Sequence, residues 1–196
     1  RDVHSGDVSP SPTAARRALG DLLTLRHLHT SGVHCTSGVE TRSPWRRRFH
    51  HCTFYGFMLC FASTSVAAMY DSVFGWIAPY GYASLPVVLG TVGGLGLLVG
   101  PIGLLAARRQ RDPELGDAEQ TGMDESFIVL LLVTSATGIA LLLLRNEPAM
   151  GVLLMVHLGA VLALFVTLPY GKFVHGLYRT AALLKYASER EAEERP

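Results

Sequence analysis

Residues Val156–Arg179 read V-H-L-G-A-V-L-A-L-F-V-T-L-P-Y-G-K-F-V-H-G-L-Y-R, an apolar run with a histidine near each end. His157 and His175 are 18 residues apart, which at 3.6 residues per turn is five whole turns. A continuous helix therefore sets both on one face, about 27 Å apart. That separation is close to the hydrocarbon thickness of a bilayer. An ionisable ring in or beside lipid costs free energy, so such a histidine is read first as functional. Two of them on one face point to two levels of ligand binding. Pro169 lies between them and is expected to kink the helix, turning one histidine relative to the other.

The remainder of the chain has the same character. Of its residues 49% are hydrophobic and only 17% charged, and the mean hydropathy is +0.29, values that belong to a membrane protein. The formal net charge is +1, and the basic residues sit at segment ends rather than along one stripe, which argues against a nucleic-acid partner. The three cysteines, Cys35, Cys52 and Cys60, have no C-x-x-C spacing. Neither a zinc site nor a ferredoxin-type cluster can be assembled from this chain alone. No apolar run follows Arg1, so no signal peptide is expected.

Residues 1–45 are rich in Ser, Thr, Gly, Pro and His and read as loop or linker, with one amphipathic interlude, Ala14–Leu28, suited to a short interfacial helix. Cys35, with His34 beside it, reads as an incidental loop cysteine as readily as a ligand. Residues 46–187 read as a transmembrane domain with spans at about 51–70, 84–107, 126–144 and 149–170. The last span is expected to continue as an amphipathic helix to about residue 186, and 188–196 form a charged tail. Asp71–Ala83 lacks Lys and Arg and carries Trp76, Tyr80 and Tyr82, which suits an interfacial aromatic belt. The second span holds Gly90/Gly94 and Gly96/Gly100 pairs, for close helix packing first and cofactor clearance second. Asp124, Glu125 and Ser126 suit the start of the third helix. Its Thr134, Ser135 and Thr137 can bond to backbone or to a neighbouring helix. Arg145–Pro148 read as a tight turn.

One side of the membrane receives Arg46, Arg47, Arg48, Arg108, Arg109, Arg111, Lys172, Arg179 and Lys185, and the opposite loops hold only Arg145. The fold class is thus an all-α membrane protein, four transmembrane helices in an up-down bundle with both termini cytoplasmic. In that topology His50 and His51, at the start of the first helix, share the cytoplasmic face with His175. Two imidazoles on facing helices suit bis-histidine ligation of a b-type haem. His51 with His175 is the first pairing and His50 with His175 its alternative, since periodicity does not choose between neighbours 100° apart. Arg48, Lys172 and Arg179 are near enough in sequence to pair with haem propionates. His157 falls about 12 Å below the opposite face, where the first helix offers Cys60, Phe61, Ser63 and Thr64 but no histidine. The alternatives for His157 are a hydroxyl on a neighbouring helix, a quinone pocket, or a ligand from another subunit.

The runs R-R-R-F-H-H-C-T-F-Y-G-F-M-L-C-F-A-S-T-S at 46–65, S-L-P-V-V-L-G-T-V-G-G at 84–94 and T-L-P-Y-G-K-F-V-H-G-L-Y-R at 167–179 carry a resemblance. Over about residues 14–187 the chain resembles the membrane half of the tricarballylate/citrate utilisation protein B family. That family is similar to the gamma subunit of respiratory nitrate reductase, a haem b protein in which one helix carries two haem-ligating histidines at this spacing. The resemblance aligns His157 and His175 with that pair, and His50 or His51 with the cytoplasmic ligand on the partner helix. The remaining ligand position falls at Cys60 or Phe61, so one haem is implied and the second lacks a ligand in this chain.

The resemblance further implies a multi-pass protein of the inner (cytoplasmic) membrane of a bacterium. It would reoxidise the flavin of a partner dehydrogenase that converts tricarballylate to cis-aconitate. Electrons would then pass through haem b to a membrane acceptor such as quinone. Two 4Fe-4S clusters belong to the complete family pattern, and their motifs are expected upstream or on a separate ferredoxin-like chain. The alternative is a non-redox membrane anchor for a soluble redox partner. A small transporter is disfavoured by the lack of internal repeats, and no nucleophile–base–orienter set marks a hydrolase.

Overall fold

The computed structural model describes residues 11–24, 44–109 and 118–193. Among them are six α-helices and no strand. They are α1 (Pro12–Leu23), α2 (Pro44–Ser72), α3 (Leu85–Arg109), α4 (Ala118–Leu143), α5 (Met150–Thr167) and α6 (Lys172–Glu193). Four helical segments are long and apolar enough to cross a membrane: Trp45–Ser72, Leu85–Arg109, Glu125–Leu143 and Met150–Tyr170.

Beyond the first membrane helix starting at Pro44 rather than near residue 51, the boundaries at Pro169 and at the start of α4 differ from the sequence expectation. The helix expected to continue from 149 to about 186 with a kink at Pro169 is two helices, because a one-turn 3-10 segment, Leu168–Tyr170, separates α5 from α6. Pro169 sits in that turn, where its missing N–H and its ring oppose the α-helical ladder. His157 and His175 are therefore on different helices, and the five-turn register between them does not hold. The third helix begins at Ala118 rather than beside Asp124. Its first turns are polar, so no apolar period announces them, and Ser126 Oγ donates back to the Gly122 carbonyl at 2.8 Å instead of capping a start.

The chain divides into two compact units, residues 42–168 and the remainder. In the larger unit, α2 and α3 touch backbone to backbone. A Cβ placed on Gly56 would stand 2.8 Å from the Gly93 carbonyl oxygen and 2.9 Å from the Leu97 nitrogen. One on Gly93 would stand 2.8 Å from the Cys60 nitrogen, and one on Gly100 2.6 Å from the Thr53 nitrogen. Only glycine permits this approach, which is the close-packing role of small residues between apolar helices. The seam leaves no space for a cofactor. Gly94 faces the other way, against Ile139 of α4, and the Ser135 hydroxyl donates to the Gly94 carbonyl at 2.6 Å. Leu97 of α3, Leu131 of α4 and Leu164 of α5 form the buried centre, with Phe57 and Cys60 of α2 packed on it. Arg108 and Glu125 pair at 3.6 Å across the α3 and α4 ends.

The smaller unit packs α1 on α6. Ser11 caps α1 by accepting from the Ala14 N–H at 3.0 Å, and Pro12 occupies the first helical turn, where its lost donor costs nothing. Ser11 and Thr13 also donate to the Glu191 carboxylate, Thr13 at 2.9 Å. Ala14, Ala18 and Ala187 form its core, with Leu183 and Leu184 against them. The amphipathic interlude expected over Ala14–Leu28 is thus a helix at Pro12–Leu23, and Leu28 lies outside the described residues.

Candidate functional site

The histidines of the first apolar helix lie in its second turn, beyond Arg46–Arg48. The α2 residues meeting α3 include Phe49, Cys52, Thr53, Gly56, Cys60 and Ser63. At 100° per residue His51 is about 200° from Phe49, on the side of α2 away from α3. There Arg47 Nε donates to His51 Nε2 at 3.3 Å, and the His51 ring stacks on Tyr55 with centroids 5.9 Å apart. An imidazole nitrogen accepting that N–H has its lone pair engaged. His50 is seven residues before Phe57, within about 20° of its direction, and so shares the stripe by which Phe57 reaches the Leu97–Leu131–Leu164 centre. Both histidines are half-buried. Arg48 places its guanidinium 4.9 Å from the Trp45 ring centre.

His157 lies on the buried stripe of α5 with Ala160 and Leu164. Its ring covers Gly138 of α4, where a Cβ would stand 3.1 Å from Cε1. Its Nδ1 lies 2.9 Å from Thr137 Oγ1. The Thr137 hydroxyl donates to the Val133 carbonyl at 2.7 Å. Its proton is thereby engaged, so it accepts from Nδ1–H, and Nε2 is left as the acceptor of this imidazole. The sequence reading allowed a neighbouring hydroxyl in general terms but did not single out Thr137 or Gly138. The adjacent Thr-Gly pair becomes a signal only once the register of α4 against α5 is known.

At the level of His157, α2 offers Cys60, through the contacts of Gly138 with His157, of Gly94 with Ile139, and of Gly93 with Cys60. The Cys60 sulfur is turned into the α3 seam, where a Cβ on Gly93 would meet it at 2.8 Å. His175 is carried by α6 in the other unit. Its side chain, and that of Lys172, lie outside the described residues, as do His34 and Cys35.

At the opposite end of the larger unit a second cluster assembles that sequence spacing did not link. Tyr80 and Tyr82 of the α2–α3 loop meet Arg145 of the α4–α5 turn. Arg145 Nη1 donates to the Tyr80 carbonyl at 2.9 Å, and its guanidinium lies 3.7 Å from the Tyr82 ring centre.

Comparison with known proteins places these features in a family. No solved structure matches the chain. The sequence profile of the Citrate utilization protein B family matches residues 2–196. A similar protein, Citrate utilization protein B of Escherichia coli, is 53% identical over 184 residues, which cover 93% of this chain and 48% of that protein. The chain spans about half the length of this curated relative. With the family profile running through all six helices, the chain belongs to the Citrate utilization protein B family.

Proposed function

We propose that this chain is the membrane-embedded part of an electron-transfer system serving citrate or tricarballylate utilisation. It crosses the inner membrane of a bacterium four times as an up-down bundle, with both termini and the histidine-bearing start of α2 on the cytoplasmic side. It receives electrons from a flavin-dependent dehydrogenase and delivers them to a membrane acceptor such as quinone. The 4Fe-4S clusters that would connect flavin to membrane reside in the rest of the longer protein or on a partner chain. The length of the curated relative, about twice this chain, leaves room for them.

The observation that carries this reading is the pair of half-buried histidines one turn inside the basic end of an apolar helix. A haem b ligand is needed there, on a face of α2 that α3 does not seal. His51 meets that condition on the side of α2 away from α3, its 3.3 Å contact with Arg47 Nε being what haem would replace, and His50 lies beside it on the Phe57 stripe. The favoured pairing is His51 with His175, and His50 with His175 is its alternative. When bound, haem b would supply a one-electron carrier between the two-electron flavin and the membrane. His51 (or His50) and His175 would hold it, and Arg48, Lys172 and Arg179 would balance its propionates. His157 keeps its Nδ1–H on Thr137 and has no second imidazole at its level on α2.

The test is the visible spectrum of the detergent-purified protein after reduction. A b-type α band is expected, lost in His175→Ala and in His51→Ala but kept in His50→Ala. A colourless preparation from haem-replete cells would remove the haem and leave the alternative, a non-redox anchor for a soluble partner.

A further inference from the structure

Arg145 is the single Lys or Arg in the two segments that join α2 to α3 and α4 to α5, and it is held in an unusual way. One guanidinium N–H is spent on the Tyr80 carbonyl, and the plane is supported by the Tyr82 ring. A guanidinium has five N–H donors in a fixed fork, so an edge remains for an oxyanion. The support is itself fixed. The Tyr80 hydroxyl lies 3.1 Å from the Ala67 carbonyl and 3.0 Å from that of Trp76. Tyr70 makes edge contacts with Phe74, Trp76 and Tyr80, at 6.2, 4.8 and 5.5 Å between centroids. Gly75, with φ of 65°, turns the chain out of α2, a conformation that favours glycine.

Around this cation the loop turns large apolar side chains outward. Ile77 is 85% exposed and Val73 69%, with Phe74, Trp76 and Tyr82 also exposed. A patch of this kind next to one oriented cation calls for an amphipathic ligand. The loop joins two helices that are both long and apolar enough to cross a membrane, so it lies at headgroup level, where Trp and Tyr accumulate.

We propose that Arg145 and the α2–α3 loop form a binding site for an anionic phospholipid. The headgroup phosphate is taken by the guanidinium on its Tyr82 platform, and the acyl chains lie along Val73, Phe74 and Ile77. The site depends only on this chain being embedded in a bilayer and is independent of haem. Glu147, in the same turn as Arg145, is exposed and sets a preference for a single-charge headgroup over a multiply charged one by repulsion.

The test is native mass spectrometry of the delipidated full chain titrated with phosphatidylglycerol, phosphatidylcholine or inorganic phosphate. Phosphatidylglycerol should give a one-to-one adduct that Arg145→Gln weakens about tenfold, the loss of one charge-assisted hydrogen-bonded contact. Arg145→Lys, which keeps the charge and loses the fork, should give an intermediate loss, and Ile77→Ser should weaken lipid without creating phosphate binding. Equal retention of phosphatidylglycerol by wild type and both Arg145 variants would overturn the proposal, even if thermal stability fell. So would equally tight binding of inorganic phosphate, which would mark a free-anion site, or of phosphatidylcholine.

Discussion

The α2–α3 seam and the α4–α5 seam both use glycine, to opposite ends. Between α2 and α3 the space released by Gly56, Gly93, Gly96 and Gly100 is taken by the backbone of the neighbouring helix, and the product is rigidity. Between α4 and α5 the space released by Gly138 is taken by an imidazole, which Thr137 then orients. A missing side chain therefore has no fixed meaning in an apolar helix. What fills the space decides whether a glycine serves packing or chemistry.

Substitutions can break each seam separately. The largest effect is expected from Gly56→Leu, which forces α2 off α3 because the obstructing atoms are backbone. Overpacking of this kind costs about 3 kcal/mol, measurable as a lowered midpoint of unfolding in mixed detergent. Gly159→Leu, on α5 with nothing within 4 Å of its Cβ position, should leave the midpoint unchanged. If the two variants unfold alike, the seam is not backbone-packed.

Gly138→Leu should have a smaller effect, about 1–2 kcal/mol, because the neighbour that must yield is a side chain. Its distinguishing outcome is loss of the Thr137 bond, read as a changed His157 Nδ1 nitrogen-15 shift. An unchanged shift would mean that the ring does not lie over Gly138. Smallest of all, Ser135→Ala removes one interhelical bond to the Gly94 carbonyl, worth about 0.6 kcal/mol between apolar helices. In a double-mutant cycle with Thr137→Val it should be additive, since the two hydroxyls serve different partners, Gly94 and His157.

Much of this architecture was legible in the sequence for simple reasons. The four apolar helices follow from run length, and close packing of the second span from its repeated glycines, though not its partners, since Gly90 and Gly94 of one expected pair face α2 and α4 respectively. The break at Pro169 was visible as a kink but not as two helices, since a proline's effect depends on whether neighbouring elements hold the turn. The early start of α4 was hidden because its first residues are polar. Gly138, Thr137 and the Tyr80–Arg145 contact could not be read, since register between helices is set by packing and not by spacing along one chain. Periodicity likewise left His50 and His51 equivalent. They part only when Phe49, Thr53 and Gly56 are seen to face α3, which sends His51 to the far side.

The most direct measurement is the haem content of the purified chain, by pyridine haemochrome against protein mass, in wild type and in His175→Ala, His157→Ala and His51→Ala. About one haem b per chain is expected in wild type, near zero in His175→Ala and His51→Ala, and unchanged in His157→Ala. Haem lost with His157 and kept without His175, or no haem in any of them, would contradict a single cytoplasmic-side haem.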